Sequence, residues 1–486
     1  MALATIVLHL MAGLLPEEMA WSVWPYTVLP APLAWLGGLA VASLALAPLN
    51  TVVGREFQRL TYMPASDTGI GPAAVNKRLW FAVLALGMAI PFWVFRIRHV
   101  RWGDAHFIVQ ALSYVGPDRP VWTVYNWQSP LSIFVHAQLW FLLNPVLGVG
   151  VDTLYAISSV LAGVGFVFVL FLMADALGRD RAEKVTMFGL VATTGSMQLF
   201  FGYVENYTII SFGIILTLYL GIRSLRGELS LVWPSLVLAF TNAFHPSTLV
   251  LWPAVGFVAW RVAGWRPAAR EKVCEWARLV LPPTLILSAL VLLMTAGGHG
   301  PAALLLDDRP GGADGIPFVP LFQVTTEWQH YTMFSIAHFL DWANEHFLIS
   351  PFGVPLLLLA LVNGLISHRQ GKGSSQRKAR WKPAPGSKPE TADILTFLTV
   401  ASLAYLLLTF VWNPDYGGRR DWDLFAPSAF VYTPLAAFWL VRVLGERSDS
   451  RPDGCTLPRV APVLIAVSAL HTLAWIYYNT IPWPYN

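Results

Sequence analysis

Long apolar runs broken by short polar or charged segments follow one another along nearly the whole chain. A membrane-crossing helix needs about 20 mostly apolar residues, with a range of roughly 17 to 25. Runs of this kind lie near 31–50, 79–98, 151–175, 185–202, 205–222, 230–244, 247–262, 277–296, 351–367, 391–412, 426–443 and 461–478. Very short turns join the pairs that meet around 205 and around 245. The stretch 131–149 is also apolar, but it starts after Ser129-Pro130 and carries His136, Gln138, Asn144 and Pro145. The first 20 residues are apolar but lack a basic leader and a clear small-residue cleavage site. They read as a membrane-associated element or first span, not as a cleaved signal. The expected fold is all-α, a polytopic transmembrane helical bundle of about 12–13 spans. No soluble domain of any size and no internal repeat is visible.

The charged residues set the topology. If 131–149 is an interfacial or re-entrant helix and not a full span, basic residues fall in alternate loops. Those loops are Arg55 to Arg78, Arg179 to Lys184, Arg223 and Arg226, Arg261 to Arg278, Arg369 to Lys388, and Arg442 to Arg459. Together they hold 25 of the 32 Lys and Arg residues, which makes their side cytoplasmic. The seven on the other side are all arginine: Arg96, Arg98, Arg101, Arg119, Arg309, Arg419 and Arg420. Arginine grips phosphate and carboxylate with a planar fork, whereas lysine is a point charge. The cytoplasmic loop 368–390, rich in Lys, Arg, Gly, Ser and Pro, reads as a disordered tether.

Composition agrees. The 486 residues are 56% hydrophobic and only 12% charged, where soluble proteins carry about 25% charged residues. The mean hydropathy is +0.55. The formal net charge of +4 gives no reason to expect nucleic acid. The two cysteines, Cys274 and Cys455, both fall on the cytoplasmic side, so neither a structural disulfide nor a cysteine metal site is expected.

Two charged clusters stand at the ends of apolar runs on the external side. One is RWGDAH at 101–106; the other is NPDYGGRRDWDLFA at 413–426. Ionisable groups are costly near hydrocarbon and usually mark a site. The question is whether the two clusters meet. In the second, Asn413-Pro414 and Gly417-Gly418 imply a tight turn. Arg419 and Arg420 suit an anionic phosphate, and Asp421 and Asp423 are placed to orient them, hold a metal or meet sugar hydroxyls. The structural alternative is a knot of ion pairs that pins the loop. In the first cluster Asp104, with Arg101 and His106 beside it, precedes an amphipathic helix carrying Phe107, Ile108, Leu112 and Tyr114; a plain N-cap is the alternative. Glu205 and His245 occupy the two short external turns. Imidazole suits zinc, and carboxylates suit magnesium or manganese, so a divalent cation on His245 and Glu205 is left open. The loop 297–350 adds Asp307, Asp308, Arg309, Glu327, His330, His338, Asp341, Glu345 and His346 among Trp328, Tyr331, Phe339 and Trp342. Such a mixture suits a sugar, although most of the aromatics are expected to form the interfacial belt.

The order of these pieces resembles the GT-C class of integral membrane glycosyltransferases, best over 79 to about 265. A span leads to an external loop with an acid, Arg101-Trp102-Gly103-Asp104. An amphipathic helix follows, then Gln128-Ser129-Pro130-Leu131 opening a second surface helix. An apolar helix then ends near Gly, Asn144 to Gly150, before the next span. The Ser-Pro-Leu here departs mildly from the Pro-Pro-Leu common in the class. The resemblance implies a GT-C-like membrane module at 1–296, with its first large external loop at 99–150 bearing interfacial helices. An external loop at 297–350 would be suited to acceptor binding. C-terminal helices at 351–486 would carry the 413–425 turn outside and the basic loop 368–390 inside. It also implies a polyprenyl-phosphate-linked sugar as donor, a glycan, lipid or protein as acceptor, and no organic cofactor. The site would sit on the external face of the cell membrane. Asp104 would be the catalytic base, with Arg101, Arg419 and Arg420 on the donor phosphate. Glu205, Asp421, Asp423 and His106 would orient substrate or metal. A single base implies inversion at the anomeric carbon. Three other readings stay open: a lipid-linked glycan ligase of the same fold, a transporter of lipid-linked sugar, and a non-catalytic assembly protein. Acids gathered on one face and the absence of paired halves disfavour transport.

Overall fold

The computed structural model describes residues 1–61, 72–113, 124–305, 315–369, 391–445 and 456–482. Tyr114, Arg119, Asp307, Asp308, Arg309, Cys455 and nearly all of the basic loop, from 370 to 390, lie outside the described residues. The described chain is an all-α bundle. In order the helices are α1 (Ala2–Leu10), α2 (Ala31–Leu44), α3 (Ala47–Thr61), α4 (Pro72–Gly87), α5 (Ala89–Val94), α6 (Ala105–Ser113) and α7 (Pro130–Leu147). Then come α8 (Val151–Leu177), α9 (Arg181–Ala192), α10 (Tyr207–Leu225), α11 (Val232–Phe244), α12 (Trp252–Gly264) and α13 (Ala269–Ala296). The last are α14 (Pro301–Leu305), α15 (Ile336–Ile349), α16 (Gly353–Arg369), α17 (Thr391–Val411), α18 (Trp422–Leu444) and α19 (Leu457–Thr480).

Among the described residues nine helices are long and apolar enough to cross a membrane, or up to eleven if α2–α3 and α15–α16, bent by 78° and 107°, each count as one span. The chain is an integral membrane protein. The difference from the expected count has local causes. The apolar run 185–202 divides into the 12-residue α9 and a 3-10 turn over Gly195–Phe200. The run 230–244 yields only the 13-residue α11.

The centre of the bundle is α18, buried along almost its whole length and packed on α9, α10, α16 and α17. Phe430 on it meets Phe166 of α8 at 4.3 Å and Phe200 at 5.8 Å between ring centres. At 23 residues α18 is roughly 34 Å long, close to the hydrocarbon thickness of a bilayer. Its two ends differ in chemistry. At the C-terminal end Arg442 donates to buried Glu183 (2.7 Å), which also takes Arg179 (2.8 Å). Nearby, Lys184 pairs with Asp175 at 2.8 Å and Arg226 donates to the Ala176 carbonyl at the end of α8. Further round, Arg261 grips Asp393 with two hydrogen bonds of 2.9 and 2.7 Å. The described basic residues Arg179, Lys184, Arg226 and Arg442 are thus gathered at this end.

The other end of α18 starts at Asp421, where the turns of interest lie. Helix α7 stays at this end. Its first turn reaches the end of α11, Ser132 Oγ donating to the Phe244 carbonyl (3.2 Å). Its last turn leads within three residues into the start of α8, and the His136 ring stacks on Tyr155 of α8 at 3.8 Å. Both ends of an 18-residue apolar helix therefore sit on one side, as an interfacial helix demands.

Close approach at Gly195 fixes how the 3-10 turn meets the bend between α15 and α16. A Cβ there would lie 1.9 Å from the Leu348 carbonyl oxygen, and neither backbone can yield cheaply. Gly195→Ala is expected to destabilise the protein by about 2–3 kcal/mol, read as a lowered midpoint of thermal unfolding in detergent. Gly256→Ala, with nothing within 4 Å of the added carbon, should leave the midpoint unchanged.

Candidate active site

The two charged clusters meet. The Gly103 N–H donates to the Arg420 carbonyl at 3.0 Å, tying the 101–106 segment directly to the 413–426 turn. The Asp104 N–H donates to Glu205 Oε1 at 2.5 Å, which brings in the turn between α9 and α10. The Asp104 carbonyl accepts from Ile108 at 2.9 Å and so starts α6. Trp102 is buried, and its indole N–H donates to Asn479 of α19 at 2.7 Å. Four parts of the sequence thus hold Asp104 in place.

Gly103 makes this convergence possible. Its φ of +52° is open to glycine and strained for other residues. A Cβ on it would lie 2.7 Å from Asp423 Oδ2 and 2.8 Å from Glu205 Oε1. The two carboxyl groups therefore flank the same point beside Asp104. Glu205 and Asp423 are only 2% and 1% exposed, and Asp423 Oδ2 has no hydrogen-bond partner.

The arginine turn is built by its own backbone. Gly417 N–H donates to the Pro414 carbonyl and Arg420 N–H to the Gly417 carbonyl, both at 3.0 Å, with Gly417 at φ +80°. Asp421 accepts the Tyr416 N–H at 2.8 Å and closes the turn from inside. Asn413 ties it to the neighbouring loop through the Trp328 carbonyl (3.0 Å). His330 donates a ring N–H to the Asp415 carbonyl (2.8 Å). Gly418 N–H donates to Asp341 of α15 at 3.1 Å.

The arginines do not form the knot of ion pairs that the sequence left open. Arg419 pairs with Glu17, in the N-terminal segment, and not with Asp421 or Asp423. Arg420 lies over the Tyr416 ring, its guanidinium carbon 4.3 Å from the ring centre, and its Nε is buried without a partner. Arg101 stands over the Trp102 ring at 5.2 Å. All three arginines line one cavity of about 460 Å³, with Glu18, Trp21, Asp341 and Tyr416 also on its wall. The cavity is open on one side, and Asp104, whose carboxylate faces the Tyr416 hydroxyl, lies beside it.

Crowding and burial decide the protonation of this group. Glu205 is pushed well above the usual carboxyl range, first by loss of solvent, then by the Asp423 and Asp104 carboxylates; N–H groups of Asn206 and Asp104 oppose this. Burial also raises Asp421, with Asp423 adding to it. Burial raises Asp104, but the Tyr416 hydroxyl and the Arg420 charge pull it back. The net direction for Asp104 is still upward, but of these three acids it is the one whose carboxyl group meets the Tyr416 hydroxyl and the Arg420 charge, two groups of the cavity wall.

Other expected residues lie further off. His245 caps the 3-10 turn Pro246–Leu251, its Nδ1 2.9 Å from Ser247 Oγ, and its ring is 5.1 Å from that of Tyr207. Burial lowers it to about 4, so it is a neutral imidazole. Among the described residues no three His, Cys, Asp or Glu side chains gather as a metal would need. His106, in the first turn of α6, lies edge-on to Phe107. In the loop before and along α15, the polar groups serve packing more than a surface belt. Asp341 takes N–H and O–H donors from Trp21 (3.0 Å) and Tyr331 (2.9 Å). His346 is buried between Tyr432 (3.1 Å) and Thr409 (3.0 Å). Three contributors escaped the sequence reading: Tyr416, Glu17 and Trp21. Tyr416 lay inside the 413–426 segment and could have been found there. Glu17 and Trp21 lie some 320 to 400 residues from their partners, with no local signal.

No protein-family model matches the chain, and no curated protein matches it. Among solved structures it is similar to ArnT from Cupriavidus metallidurans in the apo state, at 12% identity and a TM-score of 0.47, covering 84% of this chain and 77% of that one. The same protein bound to undecaprenyl phosphate is similar at 10% identity and a TM-score of 0.46, with the same coverage. The apo Archaeoglobus fulgidus oligosaccharyltransferase is similar at 12% identity and a TM-score of 0.42, covering 81% of this chain and 56% of that one.

A raised carboxyl pKa makes the folded state bind a proton that the unfolded state releases. Both states are protonated well below about pH 4, so no difference arises there. As pH rises above that, the unfolded chain ionises while Glu205 keeps its proton, and the folded state loses relative stability. In the presence of a chelator, the unfolding temperature should therefore fall between about pH 5 and about pH 7. Glu205→Gln should flatten that slope; an unchanged slope would show that Glu205 is ionised throughout.

Proposed function

We propose that this protein is a GT-C-type membrane glycosyltransferase. On this reading it moves a sugar from a polyprenyl-phosphate-linked donor to an acceptor hydroxyl on the external face of the cell membrane. One observation carries the proposal. The half-buried Asp104 carboxyl group faces the Tyr416 hydroxyl on the wall of a cavity that Arg420, its buried Nε without a partner, also lines, at the end of the bundle away from the described basic clusters. A base and an anion-binding cation side by side are what transfer from a sugar phosphate needs. The segregation of Lys and Arg to the opposite end supports an external site.

The chemistry is a single displacement. The acceptor oxygen attacks the anomeric carbon while Asp104 takes its proton, which is worth about 10²–10⁴ in rate. The bond from the anomeric carbon to the phosphate oxygen breaks, and the electron pair leaves with the polyprenyl phosphate. Arg420, with an unsatisfied N–H, meets the charge that develops on that oxygen, and Arg101 stands on the same wall. Arg419 is shared with Glu17 and so contributes less. Glu205, protonated, holds the Asp104 backbone by accepting its N–H. Asp423 shapes the floor under Gly103. No step is routed through a metal, and the chelator comparison below bears on whether one is needed. The acceptor, whether glycan, lipid or protein, would enter along the wall formed by Trp21, Glu18 and Asp341.

Purified protein in lipid nanodiscs should transfer labelled sugar from a member of a panel of polyprenyl-phosphate sugars, with and without a chelator. Asp104→Asn is expected to lower turnover by about 10²–10⁴. Arg420→Ala should lower it by about 10²–10³. Both variants should unfold at temperatures near that of the wild type. Full turnover in a folded Asp104→Asn protein would remove the base assignment. Movement of labelled lipid-linked sugar between leaflets without turnover of any donor would replace transfer by transport.

A further inference from the structure

We infer that Tyr416 is a positioning residue that sets the base and the phosphate-binding arginine in one geometry; the inference rests on the glycosyl-transfer reading. Tyr416 is the side chain that touches both halves of the proposed chemistry. Its hydroxyl faces the Asp104 carboxylate, and its ring carries the Arg420 guanidinium at 4.3 Å. The Arg420 charge also acts on Asp104, so the ring and hydroxyl of Tyr416 set the two groups relative to each other. Arg420 makes no ion pair among the described residues, so the ring face is what orients its fork. A cation over an aromatic face is held while its N–H groups stay available to a ligand. An ion pair with Asp421 or Asp423 would have used those groups up.

Tyr416 is itself clamped. Its backbone N–H donates to Asp421 at 2.8 Å, the bond that also shapes the turn. Trp328 meets its ring edge-on at 5.9 Å, and Phe107 of α6 lies nearly parallel to it at 6.4 Å. Phe107 belongs to the helix that Asp104 starts, so the ring is braced by the same element as the base. Trp328 belongs to the loop that Asn413 ties down. The phenol therefore bridges two parts of the site that are more than 300 residues apart in sequence. Acids that do not touch the base cannot perform this role. Asp421 is engaged with the turn backbone, and Asp341 accepts donors from Trp21, Tyr331 and Gly418.

Two substitutions separate the two contacts. Tyr416→Phe keeps the ring under Arg420 and removes the hydroxyl. It should lower kcat by about tenfold at an unchanged donor KM, because only the orientation of Asp104 is lost. Tyr416→Leu removes both, and should add a rise of about tenfold in donor KM as Arg420 loses its platform. A purely structural tyrosine would instead lower the unfolding temperature of both variants and leave kcat and KM of the folded fraction unchanged. If Tyr416→Leu does not fold, the Phe variant decides the matter alone. Asp104→Asn is run beside them. A folded Asp104→Asn protein with full turnover would sink the glycosyl-transfer base itself. If Asp104→Asn loses turnover while Tyr416→Phe keeps the wild-type kcat, the inference about Tyr416 alone is overturned.

Discussion

Three carboxyl groups gathered around one glycine impose the constraint to which the rest of the site answers. Asp423 and Glu205 reach within 3 Å of the same point beside Gly103, and Asp104 follows it in the chain. Like charges so close and so buried cannot all ionise, since desolvation and mutual repulsion both favour protons. The protein resolves the conflict by unequal surroundings. Glu205 is buried beside two other acids and is pushed furthest toward keeping its proton; the rise at Asp104 is opposed by the Tyr416 hydroxyl and the Arg420 charge. A glycine with positive φ is the device that lets this happen, because any side chain there would push the carboxyl groups apart.

The surrounding architecture keeps that arrangement rigid while leaving one side open. Backbone hydrogen bonds, and not ion pairs, shape the arginine turn, so its guanidinium groups are not consumed by its own aspartates. Arg420 rests on an aromatic face, and Arg419 is balanced by Glu17 from the N-terminal segment. Of the three arginines on the cavity wall, Arg420 keeps a buried N–H without a partner, Arg419 has a built-in counter-ion, and Arg101 stands over Trp102. At the far end of α18, roughly a bilayer away, the lysines and arginines are paired with Glu183, Asp175 and Asp393. Charge at that end is consumed by ion pairs; at the site end Arg420 makes no ion pair among the described residues.

Much of this could be read from the chain alone, because the relevant signals are local. Hydropathy over windows of about 20 residues locates spans, and the crowding of Arg and Asp at a span end marks the turn at 413–426. Asp104 was visible as an acid in the large loop 99–150 and Glu205 as one in a tight turn, both read as external. Which acids would share one point was not visible, since contacts between residue 103 and residues 205 and 423 depend on helix docking. Hydropathy gave no sign that Thr193 and Thr194 would end α9 and that a 3-10 turn would continue the apolar run. The ion-pair knot was a reasonable reading of adjacent Arg and Asp, but it ignored that Asp421 is needed by the Tyr416 amide. The aromatic residues from 328 to 342 were read mostly as a belt; Trp328 packs on Tyr416 of the turn, Tyr331 donates to Asp341, and Trp342 donates to Thr409, contacts that only distant partners reveal.

The central claim is a single displacement in which Asp104 is the base and no side chain becomes bonded to the sugar. The anomeric configuration of the first-formed product, compared by NMR with that of the donor, tests it most directly. The account predicts inversion. Retention of configuration would require a nucleophile on the opposite face and a covalent intermediate, and would contradict the assignment of Asp104 as a base.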